Sequence, residues 1–190
     1  VTGSGKTSVY LTLIQSALDA GRSAMLLVPE IALTPQLLQK MTAHFGKTVA
    51  VLHSSLRVGE RYDEWRRIAR GEARVVVGTR SAVFAPLENP GLFILDEEQE
   101  HTYKSENAPR YHAREIALYR GAKAGALVLF GSATPSIETM YLAKTGVYTL
   151  YTLKTRYNGR ALPAARLIDM KQELRAGNIT TVVSTNALEL

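Results

Sequence analysis

The 190-residue chain contains no cysteine. Disulfides and thiolate metal sites are therefore excluded within it, and a reducing compartment suits it. No stretch of eighteen apolar residues occurs, so no membrane-spanning helix is expected. The residues present show no signal-peptide pattern, internal repeat or low-complexity tract. Its four histidines do not fall into metal-ligand spacing with other ligands. What remains is an ordinary globular composition. Hydrophobic residues make up 46%, enough for a real core, and the net charge of +6 suits a polyanionic partner. The length fits one domain, or one lobe of something larger.

The stretch Gly3-Ser4-Gly5-Lys6-Thr7 matches the back of the P-loop pattern G-x-x-x-x-G-K-[ST]. Glycines allow backbone N–H groups to approach a polyphosphate. Gly3, Ser4, Gly5, Lys6 and Thr7 are thus expected to bind ATP, with Lys6 on the phosphates and Thr7 offering its hydroxyl to Mg²⁺. Val9, Leu13 and Ala17, then Tyr10, Ile14 and Leu18, recur at helical spacing behind the loop, and a helix there aims its positive end at the phosphates. The first glycine of the pattern would precede Val1. The chain is expected to begin inside its own motif, as a fragment lacking the strand that feeds the loop. That strand would lie within the sheet, and its loss would expose apolar edges.

Strand-like and helical segments alternate from there, the mark of a parallel sheet covered by helices. Apolar runs at 24–28, 49–52, 74–77, 92–95 and 126–130 read as strands. Thr34 is placed to cap a helix that has Pro35 at its first position and runs to Gly46. A charged helix over about 59–70 is expected to turn Trp65 and Ile68 inward. Further helices are expected at 111–120 and after Pro135. Residues 1–146 read as one nucleotide-binding lobe. Residues 147–190 read as a strap leading away from it, with short β-like pieces at 148–153 and 165–168 and a helix capped by Ser184.

Asp96 and Glu97 follow four apolar residues and so sit at the carboxyl end of a buried strand, where open α/β sheets bind ligands. Asp96 is suited to hold Mg²⁺, and Glu97 to orient or deprotonate the attacking water; Lys6, Asp96 and Glu97 are the candidate catalytic set. The next strand ends in Gly131-Ser132-Ala133-Thr134-Pro135, a turn of small hydroxyl residues.

Five segments carry a resemblance: GSGKT, VPEIALTPQ (28–36), GTRSAVFAP (78–86), DEEQ (96–99) and GSATPS (131–136). Their order and spacing are those of superfamily 2 helicase motifs I, Ia, Ib, II and III. Their wording, with Pro-Arg-Tyr-His-Ala-Arg at 109–114, resembles the PriA family of bacterial DNA helicases. The resemblance covers nearly the whole chain and corresponds to the first helicase lobe. It implies a RecA-like P-loop NTPase lobe of the α/β class, mostly parallel, with helices on both faces. It also implies an ATP-dependent 3′→5′ DNA helicase acting in primosome assembly and replication restart, with ATP and Mg²⁺ as cofactors. Partners would be single-stranded and forked DNA, other primosome proteins and single-strand-binding protein, in the nucleoid-associated bacterial cytoplasm. Zinc would belong to other parts of such a protein.

On this resemblance Gln99, Ser132 and Thr134 couple hydrolysis to DNA movement. Thr34, Gln36, Arg80 and Ser81 lie where the family meets the DNA backbone, and backbone contacts suit a motor because they carry no sequence information. Tyr103, Lys104, Arg110, Tyr111 and Arg114 interleave rings with positive charge, the pattern that stacks bases and holds phosphates. Two positions depart from the family's wording. Ser8 stands where Glu is frequent, and Gln99 stands where DEEH would place His, which is expected to tune coupling and leave hydrolysis in place. The isolated chain, without the second lobe and its arginine fingers, is expected to have little helicase activity. Another superfamily 2 translocase, RecG-like or restriction-type, and a non-catalytic DNA-docking module are the alternative readings.

Overall fold

The computed structural model describes residues 5–153. Ten regular elements follow in order: α1 (Lys6–Asp19), β1 (Ser23–Leu27), α2 (Pro35–Phe45), β2 (Val49–Leu52), α3 (Val58–Ala69), β3 (Val75–Gly78), β4 (Pro90–Asp96), α4 (Ala113–Ala124), β5 (Leu127–Gly131) and α5 (Ile137–Lys144). The five strands form one sheet in the order β2-β3-β1-β4-β5. All four pairings are parallel. Parallel strands need crossovers, and the helices supply them.

The strands read as continuous apolar runs because both faces are covered. Their side chains still divide with the period of two that a strand imposes. Ala24, Leu26, Val75, Val77, Leu92 and Ile94 pack with Tyr10 and Ile14 of α1 and Met41 of α2. On the opposite face Met25, Leu27, Val76, Phe93 and Leu95 pack with Ile68 of α3 and Ala113 and Ala117 of α4. Helices thus lie on both faces, and every strand end carrying a candidate site residue emerges at one rim. Thr34 caps α2 as expected, its Oγ accepting the Leu37 N–H at 3.3 Å, with Pro35 at the first helical position.

Trp65 departs from expectation: it is 38% exposed, and Glu64 and Arg67 turn inward instead. The reason lies in the edge strand they cover. Glu64 accepts the Val51 N–H at 3.0 Å, and Arg67 donates to the Val49 carbonyl at 3.3 Å and to that of Lys47. An edge strand presents unpaired donors and acceptors; a carboxylate and a guanidinium satisfy both kinds, where an indole offers one donor and no acceptor. The β5 edge is different. Leu127 is 56% exposed there, and Val128, Leu129 and Phe130 are half-buried.

Residues 148–153 form no strand, contrary to the reading of a β-like piece. Tyr148 instead tilts its ring against Phe130, with centroids 5.7 Å apart. The pieces at 165–168 and after Ser184, most of the strap, and Gly3 and Ser4 lie outside the described residues. No helix among the described residues is long and apolar enough to cross a membrane.

Candidate functional site

The site is assembled at the rim from three places in the chain. Gly5 takes the left-handed conformation (φ 88°) and releases the chain into α1, whose first turn has no side-chain cap. A fourteen-residue helix with an uncapped N-terminus concentrates partial positive charge there. Lys6 and Thr7 stand in that turn. The Lys6 ammonium reaches Glu97 Oε1 at 2.5 Å and Asp96 Oδ1 at 3.1 Å.

Asp96 closes β4 opposite Gly131, the last residue of β5. Glu97 then adopts a positive φ of 47°, a conformation that is unfavourable for a residue bearing a Cβ. Such strain gathers at functional sites. Here the kink separates the directions of the two glutamates that follow Asp96. Burial opposes ionisation of Lys6, but its hydrogen bond to Glu97 and the Asp96 charge outweigh that effect and hold its pKa above the ordinary value. Burial likewise pushes Glu97 up, and its hydrogen bonds from Lys6 and Gln99 outweigh it, leaving the carboxyl below the ordinary range. Both groups are therefore charged near neutrality.

Two residues missed at the sequence level support Asp96. The Tyr10 hydroxyl, buried on α1, donates to Asp96 Oδ1 at 2.7 Å. Burial first, and the Asp96 charge second, raise the Tyr10 pKa, so the phenol stays a donor. Gly131 makes room for it, because a Cβ there would overlap the Tyr10 hydroxyl. Tyr10 had read as one more apolar helix position. The available signal was that a buried tyrosine hydroxyl needs a partner, and that this one falls one turn beyond Lys6.

The residues expected to couple hydrolysis to movement form a hydrogen-bonded chain. Gln99 Nε2 donates to Glu97 Oε2 at 3.1 Å, Ser132 Oγ donates to Gln99 Oε1 at 2.6 Å, and the Thr134 N–H donates to Ser132 Oγ at 2.9 Å. Thr134 thus takes part through its backbone. Glutamine serves where histidine was expected, since its amide both donates and accepts.

The second cluster lies on the other side of Asp96. A cleft there is lined by residues that include Glu30, Ser54, Thr79, Arg80, Ser81 and Thr102. Arg80 Nη1 donates to the carbonyls of Lys104 (2.6 Å) and Thr102 (3.1 Å), and its guanidinium lies 5.9 Å from the Tyr111 ring centroid. Tyr111 meets Phe84 edge-on at 4.8 Å. Gln36, Ser81, Lys104 and Arg110 are exposed, and Thr34 is half-buried with its oxygen engaged in the helix cap.

Two expected nucleic-acid contacts are placed elsewhere. Tyr103 is 1% exposed, and its hydroxyl bonds the carbonyls of Leu27 (3.0 Å) and Asp96 (2.7 Å). It is a core residue tying β1 to the end of β4, and its ring is closed to stacking. Arg114 is 14% exposed and paired with Glu98 at 3.4 Å. Alternation of rings and charges in the sequence shows nothing of which way a loop turns.

The donor set fits a nucleotide with a divalent cation: a lysine in an uncapped first helical turn, a threonine hydroxyl beside it, and two carboxylates at the end of β4. A helix-borne lysine meeting strand-end acids across a parallel sheet is the arrangement of P-loop NTPase lobes of RecA-like fold. Sequence comparison then narrows the class: the family model "DEAD/DEAH box helicase" matches residues 1–142, and the chain belongs to that family. Membership carries ATP binding with a divalent cation. Replication restart protein PriA of Bacillus subtilis (strain 168) is 53% identical over 178 residues, which is 94% of this chain and 22% of that protein. Its counterpart in Treponema pallidum (strain Nichols) is 48% identical over 91% of this chain and 26% of its own length. The chain thus spans about a quarter of the length of these relatives. Among solved structures, RecG bound to a three-way DNA junction superposes with a TM-score of 0.53 and 26% identity, over 76% of this chain and 18% of that one.

Proposed function

We propose that this chain is the ATP-binding first lobe of a PriA-type 3′→5′ DNA helicase that hydrolyses ATP with Mg²⁺ and acts in replication restart. The observation that carries the reading is the continuous path Lys6–Glu97–Gln99–Ser132, which joins a phosphate-binding helix to the turn after β5. A docking module has no need of an intact acid pair wired to a second turn.

When bound, Mg²⁺ would neutralise phosphate charge and ease phosphoryl transfer. The chain supplies the rest. Lys6 and the first turn of α1 bind the polyphosphate, together with Gly3, Ser4 and Gly5. Thr7 and Asp96 would hold the cation, and Tyr10 keeps Asp96 oriented. Glu97 orients the attacking water and takes its proton, and Gln99 fixes the second oxygen of that carboxylate. Lys6 is held by Glu97 and Asp96 here; moving onto phosphate would release Glu97 for water.

Single-stranded and forked DNA is the proposed track. The surface comprises Gln36, Thr34, Ser81, Lys104, Arg110 and Tyr111, with Arg80 behind them, and the net charge of +6 favours it. PriA relatives named for replication restart, and a RecG neighbour bound to a three-way DNA junction, support a forked substrate. Primosome proteins and single-strand-binding protein are the proposed partners, in the bacterial cytoplasm.

The test is ATP turnover by the full-length protein carrying this lobe, with and without single-stranded DNA, beside Lys6→Ala. Strong stimulation by DNA that disappears in Lys6→Ala is the expected result. DNA binding without any stimulation would replace the motor reading with a docking platform.

A further inference from the structure

α3 meets the strand beneath it with Glu64, Arg67 and Ile68, and leaves its other face to solvent. That face is not the polar surface an outer helix normally shows. Val58 is 87% exposed, Tyr62 60% and Trp65 38%, and Ala69 is exposed beyond them. Their spacings are four, three and four residues. This is the repeat of a helix seam that receives a second helix, whose side chains enter the holes between these positions.

The charges are sorted about the seam. At about 3.6 residues per turn, Arg61 stands on one side of Tyr62 and Trp65, and Arg66 on the other. Both arginines are exposed. The Arg66 guanidinium lies 5.5 Å from the Tyr62 ring centroid. Arg61 donates to the carbonyls of His53 (3.2 Å) and Ser54 (3.4 Å). By the same count every acid of the helix falls on the far half. Glu60 there accepts the Arg57 N–H at 2.9 Å, Glu64 is turned to β2, and Asp63 lies with them. The seam is therefore a row of apolar side chains between two placed cations. Residues at such flanking positions decide which helix can approach.

We propose that the exposed face of α3 is a docking surface for an acidic amphipathic helix belonging to a separate protein. Asp or Glu bordering the partner's apolar stripe would meet Arg61 and Arg66. A second copy of α3 is a poor fit, because arginine would face arginine across the seam. Single-stranded nucleic acid fits less well too, since Val58 and Ala69 offer no ring to stack on. The helix also leaves the rim at His53 and Ser54 and runs back along β2, three places across the sheet from β4 and its carboxylates. A seam on one twelve-residue helix is small and charge-guided, which suits a contact that forms and breaks; obligate interfaces are larger and more apolar. Tyr62 and Trp65 are the anchors, being residue types that dominate interface energy.

The experiment uses the full-length protein and two labelled peptide helices, each three heptads long with leucine at a and d. One carries Glu at e and g, the other Lys, so like charges keep each from pairing with itself. Fluorescence anisotropy gives their affinities, with DNA affinity and ATP turnover measured alongside. The acidic peptide should bind about tenfold more tightly than the basic one. Tyr62→Ser should weaken it about tenfold, and Arg66→Glu should turn the preference toward the basic peptide. Both residues lie outside the nucleotide site and the proposed DNA surface, so DNA affinity and turnover should stay within about twofold of wild type. Equal affinity for the two peptides, or an affinity indifferent to Tyr62→Ser, overturns the proposal. A fall in DNA affinity in Tyr62→Ser with peptide binding unmoved overturns it in favour of a nucleic-acid surface. No binding of the acidic peptide to wild type at micromolar concentration overturns it as well, because the seam would then be closed to a separate protein.

Discussion

Glu97 and Glu98 are adjacent in the chain, yet one reaches the Lys6 ammonium at 2.5 Å near the surface and the other is enclosed against α4 and α5. The positive φ at Glu97 turns them apart. On one side the carboxylate has a partly exposed ammonium as its partner, which phosphate would take over on the proposed reading. On the other it has the Ser136 N–H, the Ser136 and Thr139 hydroxyls and the Arg114 guanidinium, none of which a nucleotide would displace. The same residue type is thus suited to chemistry where its partner is exchangeable and to architecture where its partners are built in. Burial and partner chemistry decide the role; the letter in the motif does not.

The comparison is broken most sharply at Glu97. Glu97→Gln should lower turnover by about 10²- to 10⁴-fold, the range for a lost general base, with nucleotide affinity nearly intact. Single-turnover hydrolysis and equilibrium nucleotide binding on one preparation check it. Tyr10→Phe tests the support behind Asp96. Losing an outer-shell donor to a ligating carboxylate should weaken divalent-cation affinity by about tenfold and spare fold stability. Cation titration of nucleotide binding reads it, and an unchanged affinity would show that Tyr10 only fills space. Tyr103→Phe probes the interior side. It strips the donor shared by two carbonyls, so about 1–2 kcal/mol of stability should be lost while DNA affinity stays constant. Denaturant unfolding and DNA titration separate the two. Weakened DNA binding without lost stability would restore Tyr103 to the nucleic-acid surface.

What the sequence disclosed tracks what local pattern controls. Strand positions, the Thr34–Pro35 helix start and the placing of Asp96 at a strand end follow from periodicity, capping and run length, and the structure agrees with each. Trp65 was misjudged because hydrophobicity was weighed without the needs of the strand beneath. An edge strand wants polar partners, and that strand's edge position depends on sheet order, which no local pattern encodes. Tyr103 and Arg114 were misjudged because alternating rings and charges look alike inside and outside. Glu98 went unremarked because its partners lie 16, 38 and 41 residues away. Long-range polar closure is written in the fold, and a single sequence shows it only as polar residues at strand and helix ends.

The smallest effect concerns pH. In the nucleotide-free protein the Lys6–Glu97 pair raises the lysine pKa above 10.5 and lowers that of the glutamate below 4.5. A lowered acid contributes stability that is whole above 4.5 and is lost as pH falls through its folded-state value. A raised base contributes stability that is whole below 10.5 and is lost as pH rises through its folded-state value. The melting temperature of wild type should therefore exceed that of Glu97→Gln by a small margin between those limits and converge with it at both ends. Solvent reaches both side chains, so the margin should also shrink as salt is added. Glu98→Gln offers the contrast, because enclosure screens its partners from salt. Its deficit in melting temperature should barely change as ionic strength rises. If both deficits shrink equally with salt, the two carboxylates do not differ in the way their surroundings imply.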